Sequence, residues 1–241
     1  MASSKAISHQ HASPAHRARQ VPIGDYGFLS DGEVCALLAP GGSIDWMCIP
    51  RFDSGSVFGR MLGRHAGVFR ISPVDVEVPA DVRYVPGTMI VETSWGTPTG
   101  WIVVRDCLLM GPWRHEESRS KTHRRTPNDY DAEHILLRTI RCVSGEVQVV
   151  VDCEPVLDYG RKAVDWKYTE HGYHQGVATA DGSDLEMKLT TDLRLGFEGA
   201  QASARTLLKE GDTRFLALSW GSKEPPLTYA DAYSRQVWTA H

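Results

Sequence analysis

The chain has 241 residues, of which 41% are hydrophobic and 23% are charged, and its formal net charge at pH 7 is -4. These proportions are typical of globular proteins, and the length allows one large β domain or two small domains. A weakly acidic chain has no general attraction to nucleic acid or to an anionic membrane, and no apolar run reaches membrane-spanning length. We therefore expect neither nucleic acid nor membrane as a partner.

The cysteines are odd in number, and no two of them form a C-x-x-C pair, so neither a zinc site nor a thioredoxin-like motif is indicated. Each lies in an apolar, strand-like stretch, where a free thiol behaves as a small buried hydrophobe, and this indicates a reducing compartment. We predict a cytoplasmic location, with no metal and no cofactor. The cysteines are Cys35, Cys48, Cys107, Cys142 and Cys153.

The first segment, residues 1–21, is predicted to be a disordered leader without a secretion signal. It lacks aromatic residues and apolar periodicity, and serine and proline interrupt it. Its histidines have no neighbouring cysteine or carboxylate, so they are interpreted as part of a solvated tail rather than as metal ligands. These histidines are His9, His11 and His16.

From Ile23 onward, short β-branched or aromatic runs alternate with glycine, proline, aspartate or asparagine, which is the pattern of an all-β protein. Residues 33–39 and 43–49 flank Pro40-Gly41-Gly42 and are predicted to form a hairpin, because glycine can supply a positive φ. Further strands are predicted at 67–71, 88–95, 101–109, 134–143, 146–153, 177–180, 185–190, 193–198, 202–208 and 213–220.

Three short connections between these strands contain turn signals, which favour antiparallel neighbours over helical crossovers. They are Ser144-Gly145, Asp181-Gly182 and Glu210-Gly211-Asp212. Residues 22–222 are therefore predicted to form one large antiparallel β-sandwich.

The segment from Gly111 to Ala132 interrupts this pattern. It mixes basic and acidic residues with almost no aliphatic ones, whereas a nucleic-acid patch needs basic charge of one sign with interleaved aromatics. It is predicted to be a long solvated loop.

The last segment, residues 223–241, is predicted to begin a linker helix. Thr228 can cap a helix that starts at Tyr229, with Asp231 as the acidic residue of the first turn. An apolar stripe on this helix either packs back on the sandwich or belongs to a connection to a further domain. The stripe consists of Ala230, Tyr233, Val237 and Trp238.

Two adjacent motifs are the most distinctive part of the sequence. Residues 22–32 read PIGDYGFLSDG, and residues 42–54 read GSIDWMCIPRFDS. Together they resemble the start of glycoside hydrolase family 15 proteins, the glucoamylase and trehalase-like group. Residues 136–142 (LLRTIRC) and 154–161 (EPVLDYGR) extend the resemblance, which covers about residues 22–238.

The resemblance implies a super-sandwich, a linker helix and then an (α/α)₆ barrel whose two glutamates perform inverting hydrolysis as general acid and general base. No residue of this chain inherits either catalytic role, so the chain alone is predicted to be inactive. Its implied partner is that barrel, in cis or as a separate chain, and its implied substrate is trehalose or another α-glucoside. A separate catalytic pair among Asp45, Asp53, Asp106, Glu154 and Asp158 is disfavoured.

The resemblance also suggests which residues meet the barrel or border its sugar pocket. Trp46 and Tyr159 would stack on a pyranose, and Arg51 and Arg161 would donate hydrogen bonds to sugar hydroxyls or to a barrel carboxylate. The full predicted set is Asp45, Trp46, Arg51, Asp53, Tyr159 and Arg161.

Structural roles compete with these assignments. Trp46 alternates with polar positions along one strand and is interpreted in the first place as a core residue. Asp53 would cap a turn beside Ser54, and Asp158 would pair with Arg161 around a glycine turn.

Two other functions remain open at this point. One is a stand-alone binding module for α-glucans or trehalose, with exposed aromatics stacking on sugar. The other is a purely structural partner of a separately encoded barrel. His171 and His174 are predicted to lie on a solvated turn. The tryptophans available to a binding module besides Trp46 are Trp95, Trp101, Trp113, Trp166, Trp220 and Trp238.

Overall fold

The computed structural model describes residues 21–74, 76, 78–111, 132–169, 172–221 and 223–240. The predicted leader with its histidines, the interior of the predicted polar loop, Trp113 and His171 lie outside these ranges. Within them, nearly all of the regular secondary structure is antiparallel sheet, with a short C-terminal helix, so the predicted all-β fold is confirmed.

The strands and helices follow one another without a long helical crossover. After a 3₁₀ turn at Ile23–Asp25, they are β1 (Gly27–Ser30), β2 (Cys35–Leu38), β3 (Ser43–Cys48), β4 (Ser56–Phe58), β5 (Val68–Pro73), β6 (Asp81–Tyr84), β7 (Val91–Thr97), β8 (Gly100–Met110), β9 (Ala132–Glu154), α1 (Leu157–Gly160), β10 (Lys162–Ala163), β11 (Asp165–Tyr168), β12 (Gln175–Thr179), β13 (Met187–Thr191), β14 (Gly196–Glu198), β15 (Gln201–Lys209), β16 (Thr213–Ser219) and α2 (Tyr229–Thr239).

Two sheets share the long strand β9. The first sheet has the order β1-β2-β3-β5-β9-β15-β14, with β4 beside β3, and the second has the order β6-β7-β8-β9-β16-β13-β12-β11. Residues 135–141 of β9 pair with β16, whereas residues 146–153 pair with β15. The strand therefore passes from one layer of the sandwich to the other.

For this reason the antiparallel neighbours predicted at two of the turn signals are wrong, although Glu210 and Gly211 do form a turn. Ser144-Gly145 lies inside β9, at the point where the strand changes sheet, and does not separate two neighbouring strands. The connection through Glu210 and Gly211 joins β15 to β16, which pair with different halves of β9 and not with each other. It is bound to the bend, because Glu210 N donates to Gly145 O at 2.8 Å and Gly211 N to Cys142 O at 3.0 Å.

The other turn predictions are confirmed. Pro40-Gly41-Gly42 connects the antiparallel strands β2 and β3, and Gly42 has a φ of 77°. Asp181-Gly182 connects β12 to β13. Several short strands gave no clear sequence signal, namely β1, β4, β6, β10 and β11.

The main core lies between the two sheets. Ile44 and Ile71 of the first sheet and Ile102 and Leu216 of the second are fully buried in one cluster, together with Trp95. This confirms the sandwich architecture, because side chains from both inner faces meet in a single apolar layer.

A second apolar cluster covers the opposite face of the second sheet, beneath α2. Cys107 and Leu137 belong to this cluster, whereas their neighbours Leu108 and Leu136 point into the main core, as alternation along a strand requires. Ala232 of α2 closes the cluster. The centre of the second sheet is therefore buried on both faces.

A buried ion pair within the second sheet, through the further hydrogen bonds of its arginine, connects the two sheets. Arg138 of β9 donates through Nε to Asp106 of β8 at 2.7 Å, and both side chains are entirely buried. The other guanidinium nitrogens donate to the carbonyl oxygens of Phe69 at 2.6 Å and Gly42 at 2.8 Å, both in the first sheet. The guanidinium also lies 4.8 Å from the centroid of the Phe69 ring.

A surface network at the edge of the second sheet depends on pH. Glu92 accepts hydrogen bonds from Arg83 at 2.6 Å and from Arg105 at 2.7 Å. Burial alone would raise the pKa of Glu92, but these hydrogen bonds outweigh it and hold the pKa below its ordinary value. The network therefore stabilises the fold while Glu92 is ionised.

We expect Glu92→Gln to lower the free energy of unfolding at pH 7 by about 1–2 kcal/mol, because both arginines are partly exposed. The difference from the unchanged protein should shrink as the pH falls from about 4.3, the ordinary pKa of glutamate, through the lower pKa of the folded state. Urea unfolding at several pH values measures this difference in the free energy of unfolding. Asp81→Asn, which changes an exposed partner of Arg83 at 3.8 Å, is the control, and an effect of Glu92→Gln that is independent of pH would contradict the assignment.

Candidate functional site

Two of the distinctive sequence motifs meet at one end of the sandwich. The loop after β3, residues 51–54, lies against the short helix α1, and Trp46 lies beside Tyr159 of that helix. We call residues 46, 51, 53, 54 and 158–161 the turn cluster. Its two halves are about a hundred residues apart in sequence, and a hydrogen bond at 3.4 Å from the Tyr159 hydroxyl to the Ser54 carbonyl oxygen joins them.

α1 is a left-handed turn. Asp158 has φ 54° and ψ 54°, Tyr159 has φ 59° and ψ 40°, and Gly160 has φ 85°. A non-glycine residue in this region costs roughly 1–2 kcal/mol. Strained backbone of this kind concentrates at functional sites, where the surrounding structure enforces it.

The neighbouring chain holds this turn from two sides. A Cβ on Gly55 would lie 3.5 Å from the Cα of Asp158, and a Cβ on Gly160 would lie 2.8 Å from the Cβ of Ala66. Bridges to β10 close its base, pairing Val156 with Ala163. Glycine at position 160 thus allows the two backbones to approach closely, whereas a Cβ at position 55 would make an ordinary van der Waals contact.

The aromatic residues of the turn cluster keep exposed surface. The rings of Trp46 and Tyr159 lie 6.3 Å apart at an angle of 33°, and Tyr159 is 43% exposed. Trp46 is only half-buried, unlike its strand neighbours Ile44 and Met47, which are completely buried. The interpretation of Trp46 as a core residue is therefore wrong.

The charged residues of the turn cluster form two exposed ion pairs. Arg51 Nε lies 3.1 Å from Asp53 Oδ1, and Arg161 Nη1 lies 3.6 Å from Asp158 Oδ2. The turn-capping hydrogen bond at 3.2 Å runs from Arg51 N to the Ser54 hydroxyl, so Ser54 has the capping role that was considered for Asp53. Exposed pairs contribute about 0–1 kcal/mol, so both guanidinium groups can exchange their partner for a ligand.

Asp45 does not join the turn cluster, although it was predicted with the others. Successive residues of a strand point to opposite faces, so Asp45 and Trp46 lie on different sides of β3. Its carboxylate is almost buried and accepts hydrogen bonds from Tyr26 at 3.1 Å and from Ser43 at 2.6 Å. Burial and the adjacent Asp45 raise the pKa of Tyr26 to about 12.

An open groove of about 1580 Å³ on the first sheet is lined by Tyr26, Ser43 and Asp45. Arg60, Arg64 and Arg70 lie along the same groove, and Arg70 pairs with Asp152 at 3.2 Å.

Three carboxylates among the described residues have a raised pKa, and each of them already has a hydrogen-bond partner. Asp106 is buried against Arg138, and burial raises its pKa against the opposing effect of Arg138. Burial also raises the pKa of Asp31 and of Asp192, but each already accepts backbone hydrogen bonds, Asp31 from Val34 and Asp192 from Phe215. General acid catalysis needs a raised pKa in an open cleft, which these positions lack.

Three residues beside the turn cluster were missed by the sequence reasoning. The backbone nitrogen of Phe52 donates to the carbonyl oxygen of Glu33 at 3.1 Å, and the Glu33 carboxylate lies 3.0 Å from His134 Nε2. Phe52 is 63% exposed. We call Glu33, Phe52 and His134 the rim. Phe52 was visible inside the RFDS motif, whereas no sequence signal connects Glu33 to His134.

Within the described ranges, no three histidine, cysteine, aspartate or glutamate side chains gather as metal ligands would. His174 lies on an exposed turn, as predicted, with Nδ1 2.8 Å from the Leu193 carbonyl oxygen. In the part of the chain that the structure describes, no helix is both long enough and apolar enough to span a bilayer.

Comparison with known proteins identifies the domain. Residues 15–109 match the family described as "Trehalase-like, N-terminal". The trehalase of Mycolicibacterium smegmatis is 53% identical over 230 residues, which are 94% of this chain and 34% of that protein. The trehalase of Mycobacterium tuberculosis is 53% identical over 220 residues, which are 90% of this chain and 32% of that protein.

A more distant relative is the trehalase of Thermoplasma volcanium, 26% identical over 172 residues, which are 70% of this chain and 25% of that protein. The chain thus spans about a third of the length of the two mycobacterial relatives, with matches along almost all of its own length. Residues 15–109 are thus similar to trehalase-like N-terminal domains, and almost the whole chain is similar to the two mycobacterial trehalases.

Proposed function

We propose that this chain is the non-catalytic domain of an inverting glycoside hydrolase of family 15, and that it supports the active site of an (α/α)₆ barrel. The observation that carries the proposal is the turn cluster, an enforced backbone turn with an exposed tyrosine and two exposed arginines, whose carboxylates Asp53 and Asp158 are each paired with one of those arginines. Such a group suits binding and positioning rather than bond cleavage.

The names of the relatives point to trehalose as the substrate, because all three relatives described above are named trehalases. It is uncharged and rich in hydroxyls, so a protein recognises it by aromatic contact and by directional hydrogen bonds. Trp46 and Tyr159 offer the aromatic surface, and Arg51 and Arg161 offer donors to hydroxyls or to a barrel carboxylate. The general acid and general base would then be barrel glutamates, spaced for an attacking water.

The test is a chimera in which this chain replaces the matching third of the Mycolicibacterium smegmatis trehalase. We expect the isolated chain to release no glucose from trehalose, and the chimera to hydrolyse it. Arg51→Ala in the chimera should lower kcat/KM about tenfold, because one charged hydrogen bond to the substrate or the barrel is worth ~1.4 kcal/mol or more.

The matched control is Arg205→Ala, which removes an exposed arginine of β15 far from the turn cluster in the strand order. It should leave kcat/KM unchanged. Turnover of trehalose by the isolated chain would overturn the proposal, and so would equal effects of the two arginine variants.

A stand-alone sugar-binding module is the second candidate, and one observation favours it. The indole ring of Trp101 packs over Gly96 so closely that a Cβ at position 96 would lie 2.6 Å from it. Trp101 nevertheless remains 40% exposed. Trp95, Trp166 and Trp220 are instead buried. Calorimetric titration of the isolated chain with trehalose and maltose separates the candidates, since saturable binding lost in Trp46→Ala or Trp101→Ala would favour the module.

A reducing, cytoplasmic location is also part of the proposal. All five cysteines are unpaired, and four of them are buried. Burial raises the pKa of Cys48 to about 11 and that of Cys107 to about 12, which keeps both thiols protonated and unreactive at neutral pH.

A further inference from the structure

Helix α2 packs on the second sheet through its more polar side. Ala232, Gln236 and Thr239 are its buried residues. Gln236 accepts a hydrogen bond from Thr139 at 3.3 Å, and Thr239 accepts one from the backbone nitrogen of Met110 at 3.2 Å. The buried polar groups of the helix therefore have partners in β8 and β9.

The apolar stripe predicted from the sequence faces the opposite way. Trp238 is 63% exposed, Tyr233 is 46% exposed and Val237 is 39% exposed. A surface helix of a globular protein normally turns its apolar side toward the core, so this orientation is inverted. We call these three residues the outer stripe.

Specific anchors fix this orientation. Thr228 caps the helix through its hydroxyl, which accepts from Asp231 N at 3.2 Å, as predicted. Arg235 donates to the Glu224 carbonyl oxygen at 2.8 Å and lies 3.5 Å from Glu133 Oε2. The helix cannot rotate its outer stripe inward without breaking these contacts, and Ala232 already closes the apolar cluster below it.

The rim lies close to one anchor of α2. Arg235 of α2 contacts Glu133, the next residue along β9 is His134 of the rim, and the rim reaches the loop after β3 through Phe52. Exposed aromatic residues occur in the turn cluster, in the rim and in the outer stripe, namely Tyr159, Phe52, Tyr233 and Trp238.

We propose that the outer stripe, formed by Tyr233, Val237 and Trp238, is the docking surface for the catalytic domain of the same enzyme. This inference rests on the proposed function, which supplies that domain. One observation selects this occupant over a second copy or an unrelated protein. The mycobacterial relatives are about three times as long as the chain, so a further domain of the same enzyme is available to cover the stripe.

The test compares hydroxyl-radical labelling of Trp238 in the isolated chain and in the chimera described above. We expect labelling of Trp238 to be about fivefold lower in the chimera, because a docked domain excludes solvent. Trp101 is the control, because it lies at the other end of β8 from the Met110 contact with α2 and is also partly exposed. Its labelling should be unchanged.

A second measurement uses Trp238→Ser. In the chimera it should lower Tm by about 5 °C, and in the isolated chain by about 1 °C or less, because there the indole packs against little. Leu207→Ser, which removes an exposed apolar residue of β15, should have the same small effect in both proteins.

Each other outcome has a defined meaning. Equal labelling of Trp238 in both proteins, in a chimera that hydrolyses trehalose, would overturn this docking surface and leave the proposed function standing. Dimerisation of the isolated chain that Trp238→Ser abolishes would assign the stripe to a second copy and overturn it as well. Trehalose turnover by the isolated chain would instead overturn the proposed function.

Discussion

Arg138→Met is expected to lower the free energy of unfolding by about 3–5 kcal/mol, because it leaves the Asp106 carboxylate buried without its counter-charge. It also removes the donors to the carbonyl oxygens of Gly42 and Phe69, which belong to the opposite sheet. Urea unfolding followed by circular dichroism measures the loss.

Arg70→Met is the matched control. Arg70 pairs with Asp152 at 3.2 Å, but its side chain is 42% exposed, so we expect a loss below about 1 kcal/mol. A second variant, Arg138→Met combined with Asp106→Leu, should recover part of the lost stability, because no unpaired charge then remains buried. The recovery should be incomplete, because the carbonyl oxygens of Gly42 and Phe69 still lack a donor. A loss in Arg138→Met no larger than in the control would show that the ion pair does not hold the sheets together.

Gly145→Ala is expected to cost about 2–5 kcal/mol, because two effects add at the bend of β9. The residue has a φ of 65°, where a side chain costs roughly 1–2 kcal/mol. An added Cβ would also lie 2.1 Å from the Thr99 carbonyl oxygen, and relieving that clash costs about 1–3 kcal/mol. Thermal or urea unfolding of the purified variant measures the sum.

Gly211→Ala separates these two effects. Gly211 has a φ of 86° in the adjacent connection, and a Cβ there meets nothing within 4 Å. It should therefore show the conformational cost alone, about 1–2 kcal/mol. Equal losses in the two variants would mean that β9 relaxes around the new methyl group, and that close packing at residue 145 does not maintain the bend.

The proposed function gives the turn cluster a supporting role without catalysis. Its backbone is held by close approach at Gly160, whereas its charged side chains form only exposed pairs. A rigid support with exchangeable side-chain partners is suited to positioning a substrate or a neighbouring carboxylate.

Local sequence patterns were sufficient where the structure depends on neighbouring residues. The hairpin around Gly42, the turn at Asp181-Gly182 and the cap at Thr228 were all predicted, because each depends on residues a few positions apart. The motifs at residues 42–54 and 154–161 identified the parts of the turn cluster for the same reason.

Three features depended on contacts between distant parts of the chain. Ser144-Gly145 gives the same local signal for a turn and for a bend, and only pairing with β15 and β16 made it a bend. Asp45 and Trp46 are adjacent in sequence but lie on opposite faces of β3, so they have different partners. Arg138, an arginine in an apolar run, became the link between the sheets.

The sequence by itself determined the β-sandwich class, most strand positions, the helix and the family, because alternation, turn residues and motifs are local properties. Only the tertiary structure decided that α2 turns its apolar stripe outward, since a polar match between Gln236 and Thr139, 97 residues apart, fixes the helix. Hydrophobic periodicity gives the width of an apolar face, but the partner that packs against the helix determines which way that face points.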